Sequence, residues 1–294
     1  RKGIILAGGK GTRLRPLTTA VSKHLLPVFD KPLIYYPLST LMLAGIRSIA
    51  VVVNFEDKIL FERLLGNGEK LGINIEYFIQ DKPNGIPEAF SICADFIKKE
   101  NVTLILGDNI FYGGALQKLL IEMSYKSQGA TVLAYPVKDP ERYGVVEFNE
   151  DGLVKSLVEK PAKPKSKYAV TGLYFVDNNA IEYTKKLEPS ARGELEIVDV
   201  LREYVKTETL SVKITGRGMA WLDTGTHSAL VEASQFISVL EKRQGLKVGC
   251  IEEVAWRKGW INNKDLLTLS GSYNNEYGEY LANLTSSQNQ LIDI

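Results

Sequence analysis

Gly3-Ile4-Ile5-Leu6-Ala7-Gly8-Gly9-Lys10-Gly11-Thr12-Arg13-Leu14-Arg15-Pro16 joins a short apolar run to a loop of three glycines and three cations. An uninterrupted apolar run predicts a strand covered on both faces, as in a parallel sheet. Glycines let backbone N–H groups approach phosphate oxygens closely, and the cations offset phosphate charge. The stretch therefore has the form of a phosphate cradle at a strand exit. It is not a Walker A loop, which needs Gly-Lys-Ser/Thr after a four-residue gap. The GxGxxG pattern also fails, because Leu14 stands where the third glycine belongs. Taken alone, an ordinary βα turn accounts for it as well.

Similar runs recur outward from this loop at Ile49-Ala50-Val51-Val52-Val53, Val102-Thr103-Leu104-Ile105-Leu106 and Thr131-Val132-Leu133-Ala134. Between them, 37–43, 57–65, 88–98 and 116–126 have helical character, several closed by glycine at Gly45, Gly66 and Gly129. This alternation predicts an α/β fold with a mainly parallel sheet and crossover helices. From Tyr143 the pattern changes to short strands over 143–148, 153–158 and 168–176, separated by turns such as Glu150-Asp151-Gly152, which reads as an antiparallel insertion. Strand character returns over 210–214 and 220–222. A long helix over 226–242 and further helical segments to about Leu284 follow. We expect a core over 1–225 with the insertion at about 139–215, a helical C-terminal segment over 226–284, and a polar, frayed tail over 285–294. No internal repeat occurs, and in particular no hexapeptide repeat.

The chain has 294 residues, 36 basic and 35 acidic, for a net charge of +1. That balance argues against a nucleic-acid-coating protein, whose affinity rests on neutralising many phosphates. A small phosphorylated ligand needs only a local cluster. Cys93 and Cys250 lie far apart without a CxxC pair, so they fit a reducing compartment and are expected to be buried hydrophobes. The opening run is too short for a signal peptide, and no apolar stretch approaches the roughly 20 residues of a membrane helix. The expectation is a cytoplasmic protein with no membrane partner.

The loop does not stand alone. Leu6-Ala7-Gly8-Gly9-x-Gly11-Thr12-Arg13-Leu14-x-Pro16 followed by Lys23-His24-Leu25-Leu26-Pro27 resembles the signature of the sugar-phosphate nucleotidyltransferases. The resemblance continues through Gly107-Asp108-Asn109, Asp139-Pro140-Glu141-Arg142-Tyr143-Gly144, Glu159-Lys160-Pro161, Tyr168-Ala169-Val170-Thr171-Gly172, Arg192-Gly193-Glu194-Leu195-Glu196 and Trp221-Leu222-Asp223-Thr224-Gly225. Spanning nearly the whole chain, these segments look like the short glucose-1-phosphate thymidylyltransferases. The family's fold is a Rossmann-like α/β core, and its members are typically homotetramers.

The reaction this resemblance implies joins dTTP and glucose 1-phosphate and releases pyrophosphate, for deoxysugar and surface polysaccharide biosynthesis. Two anions must meet in line, so charge neutralisation and alignment should dominate. By resemblance, Gly8, Gly9, Gly11, Thr12, Arg13, Gln80, Pro83, Gly85 and Asp108 hold the nucleotide. Arg13 faces the β- and γ-phosphates, a task suited to a planar guanidinium fork. Lys23 holds phosphate at the reacting centre and Lys160 holds the sugar phosphate. Asp108 and Asp223 match the family's Mg2+ carboxylates. Tyr143, Gly144, Glu159, Lys160, Val170 and Tyr174 form the sugar pocket. Singly, an aspartate at a strand end is a helix cap or turn former, and a lone lysine is a solvated charge; only the joint match says otherwise. His227, at an expected helix start, reads as structural. With the substrate phosphate as nucleophile, no covalent enzyme intermediate is expected.

The base-reading segment departs from the family's Gln-x-x-Pro-Asp-Gly-Leu-Ala-Gln-Ala, reading Gln80-Asp81-Lys82-Pro83-Asn84-Gly85-Ile86-Pro87-Glu88-Ala89. Asn84, Pro87 and Glu88 change its charge and stiffness. Thymine and uracil differ by one methyl group, worth about 1–3 kcal/mol in a pocket. The alternative is therefore a UTP-using or dual-specificity uridylyltransferase. A non-catalytic nucleotide-sugar sensor would have no chemical need for Arg13, Lys23, Asp108, Lys160 and Asp223 together, and a glycosyltransferase would be expected to show a DxD motif, which is missing. The family also has a second, regulatory nucleotide-sugar site, whose matching positions are Gly113, Arg217, Lys247, Glu253 and Arg257; subunit-interface charges account for them equally well.

Overall fold

The opening apolar run forms strand β1 (Lys2–Leu6), with Ile4 and Ile5 fully buried in the two cores on opposite sides of the sheet. In this computed structural model, which describes residues 1–286, a small hairpin of β2 (Pro27–Val28) and β3 (Lys31–Pro32) and helix α1 (Tyr35–Leu43) lead to β4 (Ser48–Val53). Helix α2 (Lys58–Leu65), β5 (Asn74–Ile79), α3 (Glu88–Ile92), α4 (Ala94–Ile97) and β6 (Val102–Leu106) follow. Strands β6, β1, β4 and β5 lie in that order and are all parallel. Their carboxyl ends share one edge of the sheet, which is where open α/β sheets place their ligands. The glycine loop, Gln80 and Asp108 all leave from that edge.

Next come β7 (Asn109–Tyr112), α5 (Leu116–Tyr125), β8 (Ala130–Pro136), β9 (Gly144–Phe148), β10 (Val154–Glu159) and β11 (Tyr168–Val176). Strand β11 runs antiparallel to β6 over residues 173–176 and to β9 over 168–169, while β8 follows its other side with a register break between Val170 and Tyr174. Around Thr171 and Gly172 the sheet thus forks, with β6 giving way to β9 and β10. Helices α6 (Asn179–Thr184) and α7 (Ile197–Lys206), strand β12 (Leu210–Ile214) parallel to β8, and β13 (Ala220–Asp223) antiparallel to β7 complete this half.

Helix α8 (His227–Gln244) starts on a Thr226 cap whose side chain accepts from the Ala229 amide at 3.3 Å, so His227 is its first residue. Helices α9 (Ile251–Arg257), α10 (Asn263–Ser270) and α11 (Glu276–Leu284) finish the described chain. They join α1, α2 and α5 in the core on the Ile5 face, whereas α3, α4, α6 and α7 cover the Ile4 face. Both cysteines are buried. No helix among the described residues is long and apolar enough to cross a membrane.

Two local expectations are corrected. The helix expected over 88–98 is divided at Cys93, and the break lets Phe90, Cys93, Phe96 and Ile97 all enter one core. Gly129 does not close a helix. It leads into β8 with φ +76°, and a Cβ there would meet the Thr209 carbonyl oxygen at 2.2 Å. The tail expected over 285–294 lies, beyond Ser286, outside the described residues.

Candidate active site

After β1, Gly11 adopts a left-handed turn (φ +58°) and Thr12–Leu14 form one turn of 3-10 helix. Leu14, the residue in the third-glycine place, is buried with Leu26, Val28, Ile110 and Leu230. Anchored by it, the loop presents Arg13, which is exposed. Gly225 leaves room for its guanidinium, since a Cβ there would lie 3.0 Å from Nη2. Gly8 packs beneath Gln80, whose Oε1 would be 2.6 Å from an added Cβ.

The antiparallel ribbon of β7 and β13 sets the two aspartates together. Asp223 pairs in register with Asn109, and Thr224 donates to the Asp108 carbonyl from both its amide (3.1 Å) and its hydroxyl (2.9 Å). Lys23 Nζ donates to the Asp108 carboxylate. Burial pushes the Asp108 carboxyl up, but the Lys23 ammonium and hydrogen bonds from Lys23 and Asn109 outweigh it and hold the group well below the usual carboxylate range. Asp223 is raised, first by burial and then by Asp108, with Lys23, Arg13 and Arg142 offsetting part of this. The buried Asp108 carboxylate and the half-buried Asp223 carboxylate, whose charge its surroundings only partly offset, are a donor set of hard oxygens. That fits a divalent cation completing its shell with phosphate oxygens. No cluster of three or more His, Cys, Asp or Glu able to hold a metal occurs among the described residues.

Asn109 ties this corner to the fork in the sheet. Its Oδ1 accepts from the Gly172 amide (3.1 Å) and from Trp221 Nε1 (2.6 Å), while its Nδ2 donates to Asp108 Oδ1 at 3.0 Å. His24 is fully enclosed beside Lys23. Burial first, then the Lys23 charge, lower its pKa to about 3 despite Asp108, so the ring is neutral at physiological pH.

Across the fork, Tyr143, Gly144, Glu159, Lys160, Val170 and Tyr174 line the same cavity, of about 570 Å³, as Gly9, Arg13, Lys23, Gln80, Pro83, Gly85, Asp108 and Asp223. Burial, and then the nearby Glu196, raise the Glu159 carboxyl, opposed by Lys160 and Arg192. Arg192 bridges Glu159 (3.4 Å), Glu194 (3.1 Å) and Glu196 (3.6 Å). The cavity roof is stitched by backbone: Gly85 bridges Leu195, whose amide donates to the Asn84 carbonyl at 2.7 Å. Gly8, Gly11 and Thr12 shape the loop without lining the cavity, while Asn109, His24, Arg142, Arg192 and Trp221 line it although no role was assigned to them from sequence. The signal available for Asn109 was a polar residue between an aspartate and an apolar run.

A second cavity, of about 310 Å³, lies between α1, β7 and the segment after α8. Gly113, Lys247 and Glu253 line it. Arg257 stands behind, donating to Glu253 Oε1 at 2.8 Å. Arg217 is exposed and does not line it, although its loop touches Gly113, where a Cβ would meet the Gly218 carbonyl oxygen at 2.9 Å. Lys247 is occupied by Asp30 and Glu241, which also hold the buried Lys31.

The nucleotidyl transferase family model matches residues 2–239. A glucose-1-phosphate thymidylyltransferase of Neisseria meningitidis is 56% identical over 284 residues, covering 96% of this chain and 99% of that protein. One from Mycobacterium tuberculosis is 52% identical, covering 96% and 98%. Among solved structures, a Bacillus anthracis protein assigned as a glucose-1-phosphate thymidylyltransferase, in complex with sucrose, superimposes with a TM-score of 0.74 at 40% identity, covering 80% of this chain and 94% of that one. A UDP-glucose pyrophosphorylase complexed with UDP-glucose gives a TM-score of 0.71 at 26% identity, covering 83% and 99%.

Proposed function

The chain belongs to the nucleotidyl transferase family, and from that premise we infer that it joins dTTP and glucose 1-phosphate to give dTDP-glucose and pyrophosphate. The observation that carries the reading is a single cavity with Arg13, Lys23, Asp108 and Asp223 at the sheet's carboxyl edge and Glu159, Lys160 and Tyr143 across the fork. The one cavity brings phosphate-facing cations and the sugar-facing residues together.

An oxygen of the sugar phosphate attacks the α-phosphorus of dTTP, and the bond to the β-phosphate oxygen breaks as pyrophosphate leaves. Gly9 borders the triphosphate, with Gly8, Gly11 and Thr12 shaping the loop behind it, and Arg13 takes the charge that grows on the leaving group. Lys23 balances the reacting phosphates, with its ammonium placed by Asp108. Gln80, Pro83 and Gly85 face the base. Lys160 holds the sugar phosphate, and Glu159, with Tyr143, Gly144, Val170 and Tyr174, receives the sugar. Asp108 and Asp223 would hold Mg2+, which when bound supplies positive charge to phosphate oxygens. Neutral His24 adds no competing charge.

We read residues 1–225 as the catalytic core, with 139–215 as its sugar-binding part, and 226–284 as a segment for assembly and regulation within a cytoplasmic homotetramer. Gly113, Lys247, Glu253 and Arg257, with Arg217 at their margin, are the candidate regulatory set. The test of the reaction is pyrophosphate release from pure protein with Mg2+, each nucleoside triphosphate and a panel of sugar 1-phosphates. Release that is strongest with dTTP and glucose 1-phosphate supports the reading, UTP in its place supports the uridylyltransferase alternative, and silence with every pair overturns both.

A further inference from the structure

The segment that departs from its family places a carboxylate beside the base-facing glutamine. Gln80 is almost wholly buried, yet it borders the active-site cavity. Its Nε2 donates to Glu88 Oε2 at 2.7 Å, and the other Glu88 oxygen accepts from Asn84 Nδ2, also at 2.7 Å. Gln80 Oε1 lies over Gly8, and no protein donor reaches it among the described residues.

A carboxylate can only accept hydrogen bonds, whereas a primary amide has a donating and an accepting end. With Glu88 beside it, the amide of Gln80 has one satisfied orientation: NH2 toward Glu88, carbonyl oxygen on the opposite side, over Gly8 at the edge of the cavity that Gln80 borders. A glutamine at position 88 would impose no such choice, because either of its ends can meet either end of Gln80. Thymine and uracil carry an imide N3–H, which needs an acceptor. Cytosine has a lone pair at that position and would meet the Gln80 oxygen acceptor to acceptor, leaving both unsatisfied.

We propose that Glu88 is a positioning residue for base selection: by fixing the Gln80 amide it presents an acceptor that admits pyrimidines bearing an N3–H and rejects cytosine. The inference rests on the nucleotidyl-transfer reading of the cavity. Glu88 does not line the cavity, and its effect runs through Gln80 and, by way of Asn84, through the loop bearing Gly85.

The test compares kcat/KM for dTTP and dCTP, at saturating glucose 1-phosphate, in wild type, Glu88→Gln and Glu88→Asp. Glu88→Gln keeps size but frees Gln80 to turn over, so the dTTP-over-dCTP ratio should fall by about tenfold, the worth of one neutral hydrogen bond. Glu88→Asp shortens the side chain but remains acceptor-only, so it should retain more of the ratio than Glu88→Gln, even where overall activity drops further. A purely structural role predicts that each variant loses activity with both nucleotides equally, leaving the ratio at its wild-type value. Should Glu88→Gln fail to fold, the double variant Gln80→Glu/Glu88→Gln, which exchanges the two side chains, tests the same statement. The amide now at position 88 donates to the carboxylate now at position 80, which presents an acceptor-only face, and the preference for dTTP over dCTP persists. An unchanged ratio in a folded, active Glu88→Gln protein, or an exchanged pair that takes both nucleotides equally, overturns the proposal. Lack of activity in wild type with every nucleotide would instead sink the reaction itself.

Discussion

Replacing Asn109 by alanine should damage the protein in a way its surroundings allow to be calculated. Its Oδ1 is the acceptor for two donors, the Gly172 amide and Trp221 Nε1, and both contacts are buried. Each stranded donor costs about 1–3 kcal/mol. The gap opens beside the active-site cavity, so water can serve one of the two donors, and the expected loss is about 1–3 kcal/mol out of a typical total of 5–15 kcal/mol. Urea unfolding followed by circular dichroism measures it as a midpoint shift of about 1 M, using an m-value of roughly 1–3 kcal/mol/M. A shift below about 0.3 M would show that the two donors find other partners. A double-mutant cycle isolates the cause. Trp221→Phe removes one donor, so in the Asn109→Ala background it should cost about 1 kcal/mol less than in wild type, because no unpaired indole N–H remains to bury. Strict additivity would refute the hydrogen-bond account even if each single change were destabilising. Turnover should also fall in Asn109→Ala, since the Asp108 carboxylate loses the amide that helps to aim it.

Asp108→Asn and Asp223→Asn should each lower turnover by about 100-fold or more while leaving the fold intact, with partial rescue by manganese, which binds such sites more tightly than magnesium; equal turnover in Mg2+ and Mn2+ would count against metal ligation. His24 has a folded pKa of about 3 against 6.5 unfolded, so its contribution to stability is complete above pH 6.5 and is lost as the pH falls toward 3. Denaturation curves should lose up to about 1.4 kcal/mol per pH unit in that window, and His24→Asn should flatten this dependence. Gly85→Ala forces a Cβ to within 2.1 Å of the Leu195 carbonyl oxygen from a backbone at φ +113°. The roof bridge should open and KM for dTTP should rise about tenfold, with KM for the sugar phosphate changing less; equal effects on both would locate the damage elsewhere.

The features that were readable in the sequence share one property: their signal is local. The apolar runs 49–53 and 102–106 read as strands because both faces of each are covered, so no polar alternation obscures them. The glycine loop stood out because its three glycines and three cations sit within a few residues of one another. Asn109 was invisible for the opposite reason, since the groups that give it a role lie 63 and 112 residues away. Gly172 matters because β11 changes partner there, and a register break leaves no mark on hydrophobic periodicity. Arg217 shows the converse case: it matches by pattern, while its side chain stands outside the cavity that Gly113, Lys247 and Glu253 line. Glu88 falls between these cases. The departure at residues 84–88 was legible at once, but whether it loosened or tightened base recognition depended on which atoms Glu88 reaches. Both of its oxygens bind amide NH2 groups, one from Gln80 and one from Asn84. An acceptor-only group between two amides fixes both, so the change that made the base choice uncertain in the sequence orients Gln80 in the fold.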